Sequence, residues 1–323
     1  MKLNNKYIIG CHVMFYEIDM VEEYLNSVHL ALQDIDNKEN VKVEMMWNMS
    51  QYFEQSNSMQ SIYAKIEKLE RKYDFVSLFY EDDDKPYTMA DYRRELNNQC
   101  NECDYVIWGE SDCLMPRQMF GVLEQLKEYA NSQGVHRYIT TFGIRKMWDD
   151  SWRVLEHPEF TDKPFYDSPD DFKPDEHWWS LRYSMNIDEM NSFNDKVEDL
   201  DIRVLNQHKF NGCGLVISSE VIKAGVNIPR SVFFVHEDTS FMIVLQKLLG
   251  LIPQYIIKNI LLVHNRNHPK KRMYVKDERL DGTMNEKRRS NDWYVRANEM
   301  SEKNCYNSLN PNYKAFTWDD VWK

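Results

Sequence analysis

The stretch DYVIWGESDCLMP, residues 104–116, passes from an almost wholly apolar run into two carboxylates, Glu110 and Asp112, that one residue separates. Residues 105–108 have the length and composition of a buried strand. Pro116 suits the first turn of a following helix, because that position leaves the backbone amide hydrogen unpaired and proline lacks one. The stretch therefore predicts a strand, an acidic turn and a helix in succession.

Strand and helix signals alternate from the first residues up to this stretch. Short apolar runs predict three earlier strands, at residues 7–15, 41–47 and 75–80. Helical periodicity predicts helices between them, starting near residue 19, near residue 60 and at residue 88. We therefore predict an α/β fold in which helices flank a mostly parallel central sheet.

Two of the predicted helices begin with the residue spacing of a capping box. In that motif the N-cap side chain and the third helical side chain each accept a hydrogen bond from the other's backbone amide. Asp19 has this spacing to Glu22, and Thr88 has it to Asp91. We expect both helices to begin at these residues.

The two carboxylates of the opening stretch lie where α/β proteins bind their ligands. In open parallel sheets the binding crevice is beyond the carboxyl ends of the strands, and Glu110 and Asp112 follow such an end. Two carboxylates in this position can hold a hard divalent cation while substrate phosphates complete its coordination. The two residues alone are equally compatible with a solvated acidic turn.

Three further segments carry side chains that could belong to the same site. FFVHEDTSF places His236, Glu237 and Asp238 at the start of a predicted helix, although carboxylates there also suit the helix dipole. His264 ends another predicted strand, where a structural hydrogen bond is the commoner role of a histidine. Basic and amide side chains share one side of the helix after residue 88: Arg93, Arg94 and Asn97.

Composition excludes several classes of protein. With 42% hydrophobic residues over 323 positions the chain is globular rather than disordered. No apolar run reaches the roughly 18 residues of a membrane span, and the first residues lack a secretory signal, so we expect a cytoplasmic protein. Six scattered cysteines argue against a disulfide framework, and Cys100 and Cys103 lack the second pair that would complete a zinc site.

Charge is unevenly distributed along the chain. The net charge of −12 is unlike that of a protein that coats nucleic acid. Residues 264–296 nevertheless contain ten Lys and Arg against five Asp and Glu. This basic stretch leaves room for a local anion-binding site.

Taken in order along the chain, these segments resemble the GT-A glycosyltransferases, and family 2 in particular. The resemblance rests on six motifs between residues 7 and 268: HVMFYEIDMVEEYLNSV, YRRELNNQC, VIWGESDCLMP, NGCGLVISSEV, HEDTSF and LVHNRNH. It implies a GT-A type, Rossmann-like sheet and a nucleotide-sugar donor, a UDP-sugar first, whose diphosphate binds Mn²⁺ or Mg²⁺. It also implies a GT-A domain at residues 1–268, with a donor half at 1–115 and an acceptor half at 116–268, and a basic C-terminal extension at 269–323.

The resemblance implies a role for each motif. The metal ion would be held by Asp112, Glu110 and His264. Asp238, or else Glu237, would be the general base that takes the acceptor's proton in an inverting reaction. Donor contacts would come from Phe15, Tyr16, Glu17, Asn48, Arg93, Arg94, Asn97 and Glu110. Acceptor contacts would come from an irregular, aromatic-rich insert between residues 143 and 210 and from the motifs after it: Trp178, Trp179, Gly212 and His236.

The second strand departs from the family pattern. It ends in MMWNMSQ rather than in an acidic turn, so Asn48 or Asp82 would have to substitute in the contacts to the nucleoside.

Two other interpretations remain open. The basic stretch and the Trp-rich insert also suit a bacteriophage-type enzyme that glycosylates hydroxymethylated bases in DNA, so the acceptor is a glycan, a small molecule or modified DNA. A catalytically silent sugar- or nucleotide-binding module would keep the same fold. Such a module, however, has no need of Asp112, Asp238 and His264 together.

Overall fold

The apolar runs form one nine-stranded sheet in the computed structural model, which describes residues 1–144, 154–160, 185–264 and 292–323. Its strands are β1 Tyr7–Met14, β2 Val41–Asn48, β3 Val76–Tyr80, β4 Tyr105–Gly109, β5 Cys113–Leu114, β6 Ile139–Ile144, β7 Ile202–Val204, β8 Val216–Ser218 and β9 Gln254–His264. They lie in the order β3-β2-β1-β4-β8-β6-β9-β5, and β7 also pairs with β9.

The longest pairings in the sheet are parallel. Strands β3, β2, β1 and β4 run parallel to one another, as do β6 and β9. The short strands β5, β7 and β8 pair antiparallel to their neighbours. The predicted α/β class with a mostly parallel central sheet is therefore confirmed.

Helices cover both faces of this sheet. Those of the described residues are α1 Val21–Leu32, α2 Met59–Lys72, α3 Met89–Asn97, α4 Met119–Ser132, α5 Ile187–Asn194, α6 Ser219–Lys223, α7 Glu237–Leu249, α8 Asp292–Asn307 and α9 Trp318–Val321. Helices α1, α2 and α4 pack into one apolar cluster and α3, α6 and α7 into a second. Because Tyr7 and Ile9 of β1 belong to the first cluster and Ile8 to the second, the strand is buried on both faces, as expected for a central parallel strand.

One predicted capping box is confirmed and the other is wrong. Asp91 accepts hydrogen bonds from the Thr88 backbone amide at 3.0 Å and from its hydroxyl at 3.1 Å, and α3 follows. Helix α1 instead begins after Met20, because a 3-10 turn at Phe15–Glu17 extends the exit from β1. The Asp19 carboxylate is paired with the Lys65 ammonium at 2.6 Å.

The predicted position of Pro116 is also wrong. Helix α4 begins at Met119, and the Pro116 carbonyl accepts a hydrogen bond from the Met119 amide at 3.0 Å in the turn before it. The proline therefore ends the segment after β5 and lies outside the first helical turn.

The segment that contains α8 and α9 is attached to the loop before α7. The Ser301 hydroxyl donates to the Val235 carbonyl at 2.7 Å, and the Asn304 amide donates to the Ser231 carbonyl at 2.8 Å. The Trp322 indole donates to the Tyr52 hydroxyl at 2.7 Å. Residues 292–323 are thus fixed beside the start of α7.

Other sequence-based predictions concern residues that the structure does not describe. These include the larger part of the aromatic-rich insert, with Trp178 and Trp179, and most of the basic stretch, with the expected domain boundary at residue 268. Among the residues that the structure does describe, no helix combines the length and the apolar character needed to span a bilayer.

Candidate active site

Three strand ends bring the acidic turn and the late histidine together. Glu110 directly follows β4, and Asp112 directly precedes β5. In the antiparallel pairing of β5 with β9, Cys113 lies opposite His264. The short strand β5 therefore fixes the distance between the acidic turn and the end of β9.

His264 contacts both of the other predicted metal ligands. The His264 Nε2 atom is 3.0 Å from a Glu110 carboxylate oxygen and 3.3 Å from an Asp112 carboxylate oxygen. The Cys213 thiol lies beside them: the ligand atoms of Glu110, Cys213 and His264 all lie within 4.8 Å of one another, a set that does not include Asp112. Cys213 lies in the NGCG motif, but no sequence pattern predicted it as a ligand.

These groups are shielded from water. The side chains of Asp112 and His264 are 0% and 2% exposed, and that of Glu110 is 14% exposed. Burial favours the neutral form of Glu110, but His264 and Arg93 hold the pKa of that carboxyl well below its ordinary value. Burial also opposes a charge on His264, yet Cys213, Asp112 and Glu110 together raise its pKa well above the ordinary value. The cluster thus stabilises positive charge at its centre.

The donor set fits a divalent cation. Carboxylate oxygens suit Mg²⁺ and Mn²⁺, and imidazole and thiolate suit ions such as Zn²⁺. Two ligand atoms that each lie about 2.1 Å from one ion are roughly 3.0 to 3.4 Å apart at octahedral or tetrahedral angles. The separations from His264 Nε2 to the two carboxylates fall in this range. The residues therefore fit the metal ion that the sequence resemblance implies.

Arg93 joins this cluster to the start of α7. Its guanidinium donates to Glu110 at 2.8 Å through Nη2 and to Glu237 at 2.6 Å through Nη1. It also donates to the Gly212 carbonyl at 3.0 Å and lies 4.7 Å above the Trp108 ring. With 2% of its side chain exposed, Arg93 acts as an internal bridge between two carboxylates.

Gly212 is required by the close approach of that guanidinium. A Cβ atom at residue 212 would lie 2.5 Å from Arg93 Nη1, which is shorter than van der Waals contact allows. The predicted acceptor residue Gly212 thus contacts the Arg93 bridge directly.

The two carboxylates at the start of α7 have different surroundings. Burial raises the pKa of Glu237 to about 7, with the Arg93 charge opposing and the Asp238 charge adding to the shift. The Asp238 carboxylate accepts hydrogen bonds from the Thr239 backbone amide at 2.6 Å and from its hydroxyl at 3.3 Å. Glu237 is therefore committed to Arg93, whereas Asp238 is bound by its own helical turn.

The residue before this pair has an unusual backbone. His236 is the N-cap of α7 and has φ 69°, a left-handed conformation that costs a non-glycine residue about 1 to 2 kcal/mol. Its Nε2 atom is buried and has no hydrogen-bond partner within the described part of the chain. Backbone strain of this kind is concentrated at functional sites.

The predicted donor residues separate into two groups. Phe15, Tyr16 and Glu17 form the turn at the exit of β1, where the Glu17 carboxylate accepts from the Met14 amide at 3.2 Å. In contrast, Asn48 donates to the Tyr87 carbonyl at 2.8 Å within the interior. This amide is engaged by the protein itself.

Arg94 and Asn97 also make contacts within the protein. Arg94 donates to the carbonyls of Ile228 and Val232, at 3.0 and 2.8 Å, and so secures the loop before α7. The Asn97 side chain accepts from the Trp108 indole at 2.9 Å. Of the three predicted donor residues on α3, the structure brings Arg93 into the carboxylate cluster.

Comparisons with known proteins give distant similarities. No family model matches the chain, and no curated protein sequence matches it. The structure of S. aureus TarS 1–349 aligns with a TM-score of 0.46 and 11% identity, over 98% of this chain and 77% of that one. A mycobacterial protein aligns with a TM-score of 0.42 and 11% identity, over 92% and 75% of the two chains.

A third similar structure is that of GalNAc-T7 with UDP, GalNAc and Mn²⁺. It aligns with a TM-score of 0.44 and 8% identity over 93% of this chain, which spans about half (51%) of that protein. Identities this low carry no information about the chemistry of the site, which follows only from the residues of this chain.

Proposed function

We propose that this chain is a metal-dependent, inverting glycosyltransferase of the GT-A type, which moves one sugar from a nucleotide-sugar donor to an acceptor hydroxyl. The observation that carries the proposal is the convergence of Glu110, Asp112 and His264 at the carboxyl edge of the sheet. Through Arg93 this cluster is joined directly to the acidic pair that begins α7. The candidate cation site is thus connected through Arg93 to Glu237, the residue next to the candidate general base Asp238.

Glu110, Asp112 and His264 would hold the Mn²⁺ or Mg²⁺ ion. A bound cation would neutralise the charge that develops on the leaving diphosphate. The turn formed by Phe15, Tyr16 and Glu17 follows β1, which pairs with β4, so it lies on the same sheet edge and can contact the nucleoside. We take a UDP-sugar as the first donor to test.

Asp238 is the group that we assign as general base. It would take the proton from the acceptor hydroxyl as that oxygen attacks the sugar, and a carboxylate in hydrogen-bond reach supplies such catalysis. Glu237 is less suited because its carboxylate is held by Arg93 at 2.6 Å. In this assignment Glu237 orients Arg93, and Arg93 orients the metal ligand Glu110.

The metal site is tested by replacing Asp112 with asparagine, which keeps its shape and removes its charge. We expect Asp112→Asn to weaken Mn²⁺-dependent binding of the donor at least about tenfold, because a neutral amide oxygen binds a hard cation more weakly than a carboxylate does. Titration calorimetry of nucleotide sugars with and without Mn²⁺ measures the effect and screens the donors.

A matched control separates this loss from general damage. Asp188→Asn removes an equal charge from an exposed position on α5 and should leave donor affinity unchanged. If Asp112→Asn keeps its folded structure and its Mn²⁺-dependent affinity, the proposed metal site is wrong.

A further inference from the structure

Cys213 is the member of the carboxylate and histidine cluster that the proposed function leaves without a role. Its sulfur lies within 4.8 Å of the ligand atoms of both Glu110 and His264, and the residue is 3% exposed. Small buried thiols are common in protein cores, so burial alone assigns it nothing. Its position beside two groups that can bind a metal ion is what requires an explanation.

The backbone on both sides of Cys213 is fixed by specific contacts. The Asn211 side chain accepts from the Cys213 amide at 3.1 Å and donates to the Cys213 carbonyl at 3.0 Å. The Gly214 amide donates to the Trp108 carbonyl at 2.9 Å, which attaches the segment to β4 just before Glu110. The direction of the thiol is therefore set by the same strand that presents the acidic turn.

The residue after the thiol must be glycine. Gly214 has φ 65°, a backbone conformation that residues with a side chain rarely adopt. A Cβ atom there would also collide with the Leu262 side chain on β9. Because Leu262 lies two residues before His264, this close approach also brings the thiol to the end of β9. Contacts with β4 and with β9 thus direct Cys213 towards the cluster.

We propose that Cys213 is a sulfur ligand of the same cation, which makes the site select Zn²⁺ over Mg²⁺. A set of carboxylate, imidazole and thiolate ligands is typical of zinc, whereas Mg²⁺ takes oxygen ligands and avoids sulfur. The thiol proton passes to solvent as the metal–sulfur bond forms. This inference rests on the metal site of the proposed function and adds its ion preference.

Cobalt substitution tests the bond directly in the full chain. A thiolate bound to Co²⁺ gives a strong charge-transfer absorption in the near ultraviolet, which oxygen and nitrogen ligands alone do not give. We expect this band with the wild-type protein and with Cys11→Ser, a buried cysteine on β1 outside the ligand set. We expect it to be absent in Cys213→Ser.

Affinities for Zn²⁺ and Mg²⁺, each titrated alone, give the second measurement. Cys213→Ser should lose at least about tenfold in Zn²⁺ affinity and keep its Mg²⁺ affinity within about twofold, because only the sulfur contact is removed. An equal loss for both ions would show a structural role and overturn the inference. Should Cys213→Ser fail to fold, the wild-type spectrum still decides, because Co²⁺ binding without the band excludes a sulfur ligand.

Failure of this inference and failure of the proposed function are distinguishable. A band that depends on Cys213 in a chain that transfers no sugar would support the sulfur ligand and overturn the proposed function. Sugar transfer by a chain that binds Co²⁺ without this band would support the proposed function and overturn the sulfur ligand. If no cation binds to the wild-type chain at all, both are wrong.

Discussion

Asp238 and Glu237 are adjacent residues whose different surroundings predict different roles. Asp238→Asn keeps the size of the side chain, and its oxygen can still accept from the Thr239 amide, but it cannot take a proton. We expect turnover to fall by roughly 100-fold or more, with donor affinity nearly unchanged. Steady-state kinetics and donor titration measure the two quantities. A variant that kept most of its turnover would move the base to Glu237.

The pKa of Glu237 predicts a pH dependence of activity. Burial raises this pKa to about 7, and only the ionised carboxylate forms a full ion pair with Arg93. We therefore expect kcat/KM to fall as the pH drops below about 7, and we expect Glu237→Gln to remove that acidic limb. If Glu237→Gln kept an acidic limb with the same midpoint, that limb would belong to another group.

Stability should change with pH in the opposite sense. Glu237 binds its proton more tightly in the folded chain than at the ordinary pKa of 4.5. The stabilisation that this carboxyl contributes to the fold is therefore complete below pH 4.5 and is lost as the pH rises through about 7. Activity would thus require the ionisation state of Glu237 that is less favourable for folding.

Individual residues of the cluster differed in how far the sequence revealed them. Glu110 and Asp112 were candidates by residue type and position at the end of a strand, whereas the metal-ligand roles, that of His264 above all, came from the resemblance to the GT-A glycosyltransferases. Cys213 was not predictable, because the contact that brings it to Glu110 is tertiary and no spacing rule joins these residues. Arg93 was predicted as a donor contact, and its bridge between two carboxylates depends on the packing of α3 against β4 and α7.

At the scale of elements, the start of α7 combines backbone strain with the acidic pair. His236→Gly and His236→Ala remove the same imidazole, but only glycine adopts φ 69° without a steric penalty. We expect the glycine variant to be more stable than the alanine variant by about 1 kcal/mol. Denaturant unfolding of the two variants measures this difference. Equal stabilities would mean that the left-handed turn is not retained.

The two capping boxes show which element boundaries the sequence can predict. The prediction for Thr88 and Asp91 was correct: Thr88 is the N-cap of α3 and Asp91 is its third residue. Asp19 and Glu22 have the same spacing, but the 3-10 turn at Phe15–Glu17 moved the helix start to Val21. A local motif therefore places a helix end reliably when the preceding strand does not extend into a turn.

Over the whole molecule, alternation of strands and helices predicted the parallel half of the sheet. The antiparallel strands β5, β7 and β8 were not predictable, because strands of two or three residues carry no periodicity. One of them, β5, nevertheless positions His264 against the acidic turn. The part of the fold that completes the site thus depends on long-range packing.

Net charge predicts the class of acceptor. A chain with net charge −12 should repel DNA, so we expect hydroxymethylated duplex DNA not to bind even at low salt. A gel assay over a salt series makes the test. Binding with a steep salt slope that flattens in a triple alanine variant of Lys287, Arg288 and Arg289 would instead make DNA the acceptor.

The convergence of β4, β5 and β9 has a consequence for folding. Glu110, Cys213 and His264 come from segments about 100 and 50 residues apart, so their meeting closes two long chain loops. A bound ion would act as a reversible cross-link between segments that become neighbours only when the sheet is complete. Cation affinity would then report native topology, and slow metal release would slow unfolding.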